Sequence, residues 1–105
     1  MTQFTVYKNK NMATNSRIPY LLDVQSGLLD SLETRLVIPL APLSLMAGKV
    51  ITKLMPTVDV EGKNFVLLTP QMAGISRKDM GAVVCDISSL RDQLIAAIDL
   101  LVTGI

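Results

Sequence analysis

Thr57-Val58-Asp59-Val60-Glu61-Gly62-Lys63-Asn64-Phe65-Val66-Leu67-Leu68-Thr69 is the stretch on which the reading of this chain turns. Two short runs rich in β-branched and aromatic residues flank a link that contains glycine. Such runs suit a pleated, half-buried surface, and a short glycine-containing link lets them fold back on each other. The pattern predicts an antiparallel hairpin with strands over Thr57–Val60 and Asn64–Thr69. Pro56 lies before it and Pro70 after it, and neither can donate to a strand ladder.

Working toward the N-terminus, Thr34 to Leu40 (TRLVIPL) reads as a strand. Its proline, Pro39, predicts an edge, a bulge or a strand end, because it removes a ladder donor. Pro42 to Leu45 continues irregularly until Gly48. Tyr20 to Gln25 (YLLDVQ) reads as a strand broken by Ser26-Gly27, and Leu28 to Leu32 as an ambiguous apolar turn. Phe4 to Tyr7 alternates and reads as a first strand. Lys8 to Arg17 (KNKNMATNSR) is polar and reads as a hairpin loop.

Toward the C-terminus, Gln71 to Gly81 reads as loop and Val83-Val84-Cys85 as a short apolar run. The last segment is a helix, with Ser88 or Ser89 as its cap and Asp92 in its first turn, where a carboxylate suits the helix dipole. Leu90, Leu94, Ile98 and Leu101 form its apolar stripe, widened by Ile95 and Val102. Asp92, Ala96, Asp99 and Thr103 lie opposite, and Gly104 stands where a C-cap glycine would. Several short antiparallel strands followed by one helix predict an α+β domain with a small barrel-like sheet.

Composition narrows the function. A chain of 105 residues is one domain, 50% hydrophobic and 18% charged. That is more apolar material than one small core requires, so a homodimer is expected. A net charge of +1 supplies no field for nucleic-acid phosphates. There is no histidine and one cysteine, Cys85. Zinc sites and most hydrolytic triads need what is missing, which points away from an enzyme and from any metal or cofactor. The first residues lack the apolar run of a signal peptide, no stretch reaches transmembrane length, and one cysteine suits a reducing compartment. A soluble cytoplasmic protein is expected, without membrane contact.

Two readings of the last residues stay open. Leu101, Val102 and Ile105 could dock on the sheet, or Asp99, Thr103, Gly104 and Ile105 could form an exposed recognition tip. Asp99 and Thr103 share a face, being four apart. Cys85 reads as a small core residue. Asp23 and Arg35 read as sheet-face charges or as a pair. The Lys8 to Arg17 loop reads as solvated, or as a docking surface for an acidic peptide.

Gln3-Phe4-x-Val6-Tyr7, Asp23-Val24-Gln25-Ser26, Leu28-Leu29-Asp30, Arg35-x-Val37-Ile38-Pro39-Leu40, Val58-Asp59-Val60, Met72-Ala73, Ile98-Asp99-Leu100 and Gly104-Ile105 together resemble the CcdB family of gyrase-poisoning toxins. The resemblance spans residues 1–105 as a single toxin domain. It implies an SH3-like barrel of antiparallel strands with a smaller attached sheet and a C-terminal helix. It implies a homodimer with the two C-terminal helices near its axis, and no catalytic residue. It implies a toxin–antitoxin toxin that binds the A subunit of DNA gyrase and traps the cleaved-DNA complex, a role in plasmid maintenance. A CcdA-like antitoxin would neutralise it and bring it to operator DNA for transcription autoregulation. The gyrase contacts carried over are Asp99, Val102, Thr103, Gly104 and Ile105, with Gln3, Phe4, Ser26 and Leu28 as secondary candidates. Lys8, Lys10 and Arg17 are the expected antitoxin contacts. Well-known members carry tryptophan in place of Thr103 and asparagine in place of Asp99. Tryptophan can stack on a partner arginine, worth ~1–2 kcal/mol when desolvated, and threonine cannot. Two alternatives are a MazF- or Kid-like ribonuclease of the same barrel, which would draw on Arg17, Arg77 and the aspartates, and a non-toxic homologue that only binds the antitoxin.

Overall fold

Val6 and Leu22 face one side of the sheet, Tyr7 and Leu21 the other, and all four are buried. Strands covered on both faces read as apolar runs rather than strict alternation, which is the pattern of Tyr20 to Val24 and Leu36 to Leu40. The computed structural model describes residues 1–104. Its strands are β1 (Thr5–Asn9), β2 (Tyr20–Asp23), β3 (Thr34–Pro42), β4 (Thr57–Val60), β5 (Lys63–Leu67), β6 (Ala73–Ser76) and β7 (Met80–Asp86), followed by the helix α1 (Arg91–Thr103). They pair antiparallel in the order β4-β5-β3-β2-β1-β7, with β6 also on β3. The sheet curls into a half-barrel with a single C-terminal helix, the α+β architecture expected.

The β4–β5 hairpin closes through the two residues Glu61-Gly62, with Val60 opposite Lys63. Their φ angles are +53° and +80°. Two positive φ values twist such a turn to match its strands, and glycine takes the second at little cost.

β3 is the hub. β2 flanks it on one side; on the other, β6 pairs Thr34–Val37 and β5 pairs Leu40–Pro42. Pro39 falls in the gap between them. Its carbonyl accepts from Leu68 N at 2.9 Å. A strand residue presents its nitrogen and its carbonyl to the same side. The nitrogen without hydrogen therefore faces the gap, and a long interior strand tolerates the proline that predicted an edge, a bulge or an end.

Three further expectations are corrected. Gln71 to Gly81 is not a loop, since it holds β6 and the start of β7. Ala73-Gly74-Ile75-Ser76 has little strand signal of its own and is ordered by the free side of β3. Lys8 and Asn9 belong to β1, not to the loop. Buried Asn9 organises that loop by donating to Ile18 O (2.8 Å) and Thr14 Oγ1 (3.0 Å). Ser88 and Ser89 do not cap α1 but form a 3-10 turn, Ser88–Leu90, ahead of it. Asp86 Oδ1 accepts from Ser88 N at 2.7 Å instead. Hydrogen bonds from Ser88 hold the Asp86 carboxyl below its ordinary range.

The main core lies inside the curl: Phe4, Val6, Leu22, Ile38, Leu40, Phe65 and Leu67 from the sheet, and Leu94 from the helix. Tyr7, Leu21, Val37 and Met80 pack on the outer face, and Ala41, Met55, Val66 and Leu68 make a third cluster.

Candidate functional site

α1 is anchored by its first half. Leu94 and Ala97 are fully buried, while Leu90, Ile95 and Ile98 pack partly on the core. Ala97, not Leu101, completes the buried stripe. Leu101 is exposed and Val102 is 72% exposed, as are Asp99 and Thr103 on the polar face. Among the described residues, the last turn of the helix thus projects from the sheet rather than docking on it. Ile105 lies outside the described residues.

Thr103 donates its hydroxyl to Asp99 O at 2.7 Å. That donor is spent on its own helix, which leaves the hydroxyl oxygen as an acceptor and the methyl group as its outward chemistry. Gly104 stops the helix at φ +75°, its N–H donating to Leu100 O at 3.0 Å. The last turn carries no basic residue. The negative end of the helix dipole and the Asp99 carboxylate therefore add to each other. A tip with that charge beside Val102 suits a partner that offers a cation next to an apolar pocket.

The secondary candidates gather elsewhere. Phe4 is 2% exposed, with φ +61°. Its carbonyl accepts from Ile87 N at 2.9 Å, and the Arg91 guanidinium stands 5.8 Å from its ring centre. Phe4 therefore neighbours the start of α1, about 18 Å along the axis from Thr103 at 1.5 Å per residue. Half-buried Gln3 donates to Val24 O at 3.2 Å. Ser26 Oγ accepts from Leu28 N at 3.2 Å, capping the 3-10 turn Gly27–Leu29. Leu28, on that turn, is 95% exposed, and Leu29 and Leu32 beside it are also exposed. One chain therefore carries two patches, the helix tip and the Leu28 turn.

The turn rests on polar side chains that the sequence reading missed in that role. Arg35 and Asp23 are both wholly buried, with Arg35 Nε donating to Asp23 Oδ2 at 2.9 Å. Nη2 lies 2.7 Å from the same oxygen but off the hydrogen-bond direction. Nη1 donates to Asp30 Oδ1 at 3.0 Å. Arg77 Nη2 lies 3.6 Å and the Met1 ammonium 3.4 Å from that oxygen. The ammonium first, then Arg35 and Arg77, hold the Asp30 carboxyl below the usual carboxylate range. Two charges set inside apolar runs, Asp23 and Arg35, were the signal available, and the structure pairs them.

The expected antitoxin contacts divide. Lys8 and Lys10 are exposed at the β1–β7 junction, with Lys10 N donating to Asp79 O at 3.1 Å. Arg17 lines a groove of about 510 Å³ with Lys49. Ile18, Ala41, Met46 and Leu68 form the groove's apolar lining, which contains no carboxylate. Lys49 was missed because it lies far along the chain, after Gly48. The groove pairs two cations with apolar surface and holds no acid that could act beside them as a base.

Cys85 is half-buried, and burial first, then Glu61, Asp86 and Asp59, push its thiol up. It is a poor nucleophile there. Among the described residues no group of three His, Cys, Asp or Glu side chains could hold a metal ion. Among the same residues no helix is long and apolar enough to cross a membrane. A family model described as CcdB protein matches residues 3–104.

Proposed function

Because the chain belongs to the CcdB family, and so to the toxins of toxin–antitoxin systems, we propose that it poisons bacterial DNA gyrase by binding the A subunit and trapping the cleaved-DNA complex. The projecting end of α1 is the observation that carries this reading. Leu94 and Ala97 hold the helix, so Asp99, Val102, Thr103 and Gly104 are presented on a rigid support, with Ile105 following. Chemistry remains gyrase's own, and the toxin acts as an inhibitor rather than as an enzyme. Its target is cytoplasmic, which places it there too.

A homodimer would present both patches twice. An acidic, amphipathic antitoxin segment fits the groove between Arg17 and Lys49, with Lys8 and Lys10 as outlying contacts. A disordered segment can order along such a surface on binding. Repression of the shared operon would come through the antitoxin's hold on operator DNA, since the toxin's own charge is near zero. The ribonuclease alternative lacks support in the cationic groove, where no general base stands by.

The deciding experiment is a gyrase supercoiling and cleavage assay with purified protein. Linear DNA released on denaturing the complex is the expected result. Unimpaired supercoiling with no linear product, alongside tight antitoxin binding, would favour the non-toxic homologue. Degradation of added RNA would favour the ribonuclease.

A further inference from the structure

Leucines at a surface need no explanation singly, but Leu28, Leu29 and Leu32 are all exposed within five positions. Surface turns usually open at little cost. This one is fastened from below at several points. Gln25 Nε2 donates to Leu29 O at 2.8 Å, and Gln25 Oε1 accepts from Leu36 N at 2.9 Å, tying the turn to β3. Asp30 is held by Arg35, and Arg77 Nε donates to Leu32 O at 2.6 Å. Arg35 carries the tie inward to Asp23, whose Oδ1 accepts from Gln25 N at 2.9 Å.

A buried ion pair is weak evidence of added stability, because an apolar replacement of similar size often does as well. What the pair supplies here is geometry. It fixes Gln25 and Asp30, the two residues that grip the turn on either side of Leu28 and Leu29. A turn held in one shape before binding loses less freedom on binding.

We propose that the buried Asp23–Arg35 pair, acting through Gln25 and Asp30, is a positioning device that holds Leu28 and Leu29 ready to enter an apolar pocket of the gyrase A subunit. The proposal rests on the gyrase reading above and adds positioning residues to it. Gln25 and Arg35 are buried away from any partner, and the proposal gives half-exposed Asp30 the same indirect role. Their effect on binding must therefore pass through the leucines.

The test uses two variants that spare the buried pair. Asp30→Asn alters a half-exposed side chain. Gln25→Glu keeps the acceptor for Leu36 N and loses the donor to Leu29 O. Affinity for purified gyrase A subunit is measured for each, alone and with Leu28→Ala. Exchange of the Leu28 and Leu29 amides is followed by NMR. Each variant is expected to bind about tenfold weaker, with no further loss once Leu28 is alanine, and to exchange those amides about tenfold faster. Unchanged affinity, or the same loss with and without Leu28, overturns the proposal. If the wild-type protein does not bind the A subunit, the gyrase reading fails separately and amide exchange alone decides. Faster exchange then keeps the positioning role, and unchanged exchange removes it.

Discussion

Arg35 is the residue whose loss should cost most. Arg35→Leu leaves the Asp23 carboxylate buried without its partner, a change worth ~3–5 kcal/mol. The urea midpoint should fall steeply, whereas replacing both residues with leucine should fall much less. Equal losses would mean that the single variant suffers from shape rather than charge. Asp30 sets a pH dependence. Its folded carboxyl titrates below the ordinary range, so its tie to the turn is complete above that range. The tie weakens as pH falls from the ordinary carboxylate range and is gone once pH is below the lower, folded value. Exchange at Leu28, corrected for its intrinsic pH dependence, should be flat above the usual carboxylate range, begin to rise as pH falls into it, and level off only in stronger acid. Exchange that stayed flat throughout acid would count against the tie. Thr103 makes a prediction of the opposite sign. Thr103→Trp restores an aromatic at the tip, and if it stacks on a partner cation the gain is ~1–2 kcal/mol, roughly five- to thirtyfold in Kd. Titration calorimetry with the gyrase A subunit measures it, and an unchanged Kd would remove Thr103 from the contact.

Among the elements, the end of α1, proposed above as the recognition tip, lies beyond the residues that anchor the helix. Removing Gly104 and Ile105 spares Leu94, Ala97 and Ile98, on which the helix is anchored. The melting temperature should stay close to that of the full chain, while gyrase trapping is lost. Trapping that survives in a folded truncation would refute the tip as the contact. The hairpin supplies a control on stability. Gly62→Ala forces a side chain into a left-handed position and should cost ~1–2 kcal/mol. The β4–β5 hairpin and α1 were legible because each carries its own local signal, a two-residue turn with glycine and a periodic apolar stripe. The Asp99–Thr103 face was legible for the same reason. β6 was not, because Ala73-Gly74-Ile75-Ser76 acquires its shape from the free side of β3. Pro39 misled for a related reason, since local rules cannot show a gap between two neighbouring strands. The fastening of the Leu28 turn joins residues as far apart as Gln25 and Arg77, a distance that spacing does not reveal.

At the scale of the whole molecule, Leu43, Leu45, Ile51 and Val83 are exposed in addition to the apolar residues of the Leu28 turn and the helix tip. That surplus of apolar surface keeps the homodimer as the expected state. Light scattering at micromolar concentration should give twice the chain mass, and a monomer mass across that range would set the dimer aside. The placing of β1 has a consequence for biosynthesis. β1 pairs with β2, its next strand, and with β7, where Asn9 meets Met80. On the ribosome the second partner is made long after the first. Until it emerges, one side of β1 is an open strand edge, able to pair with other chains. Contacts so distant in sequence also make folding slow. β7 leads directly into α1, so the sheet can close only about when the helix that bears the tip becomes available. Nascent chains without β7 should be protease-sensitive and unable to trap gyrase, which leaves the antitoxin no partly made toxin to neutralise.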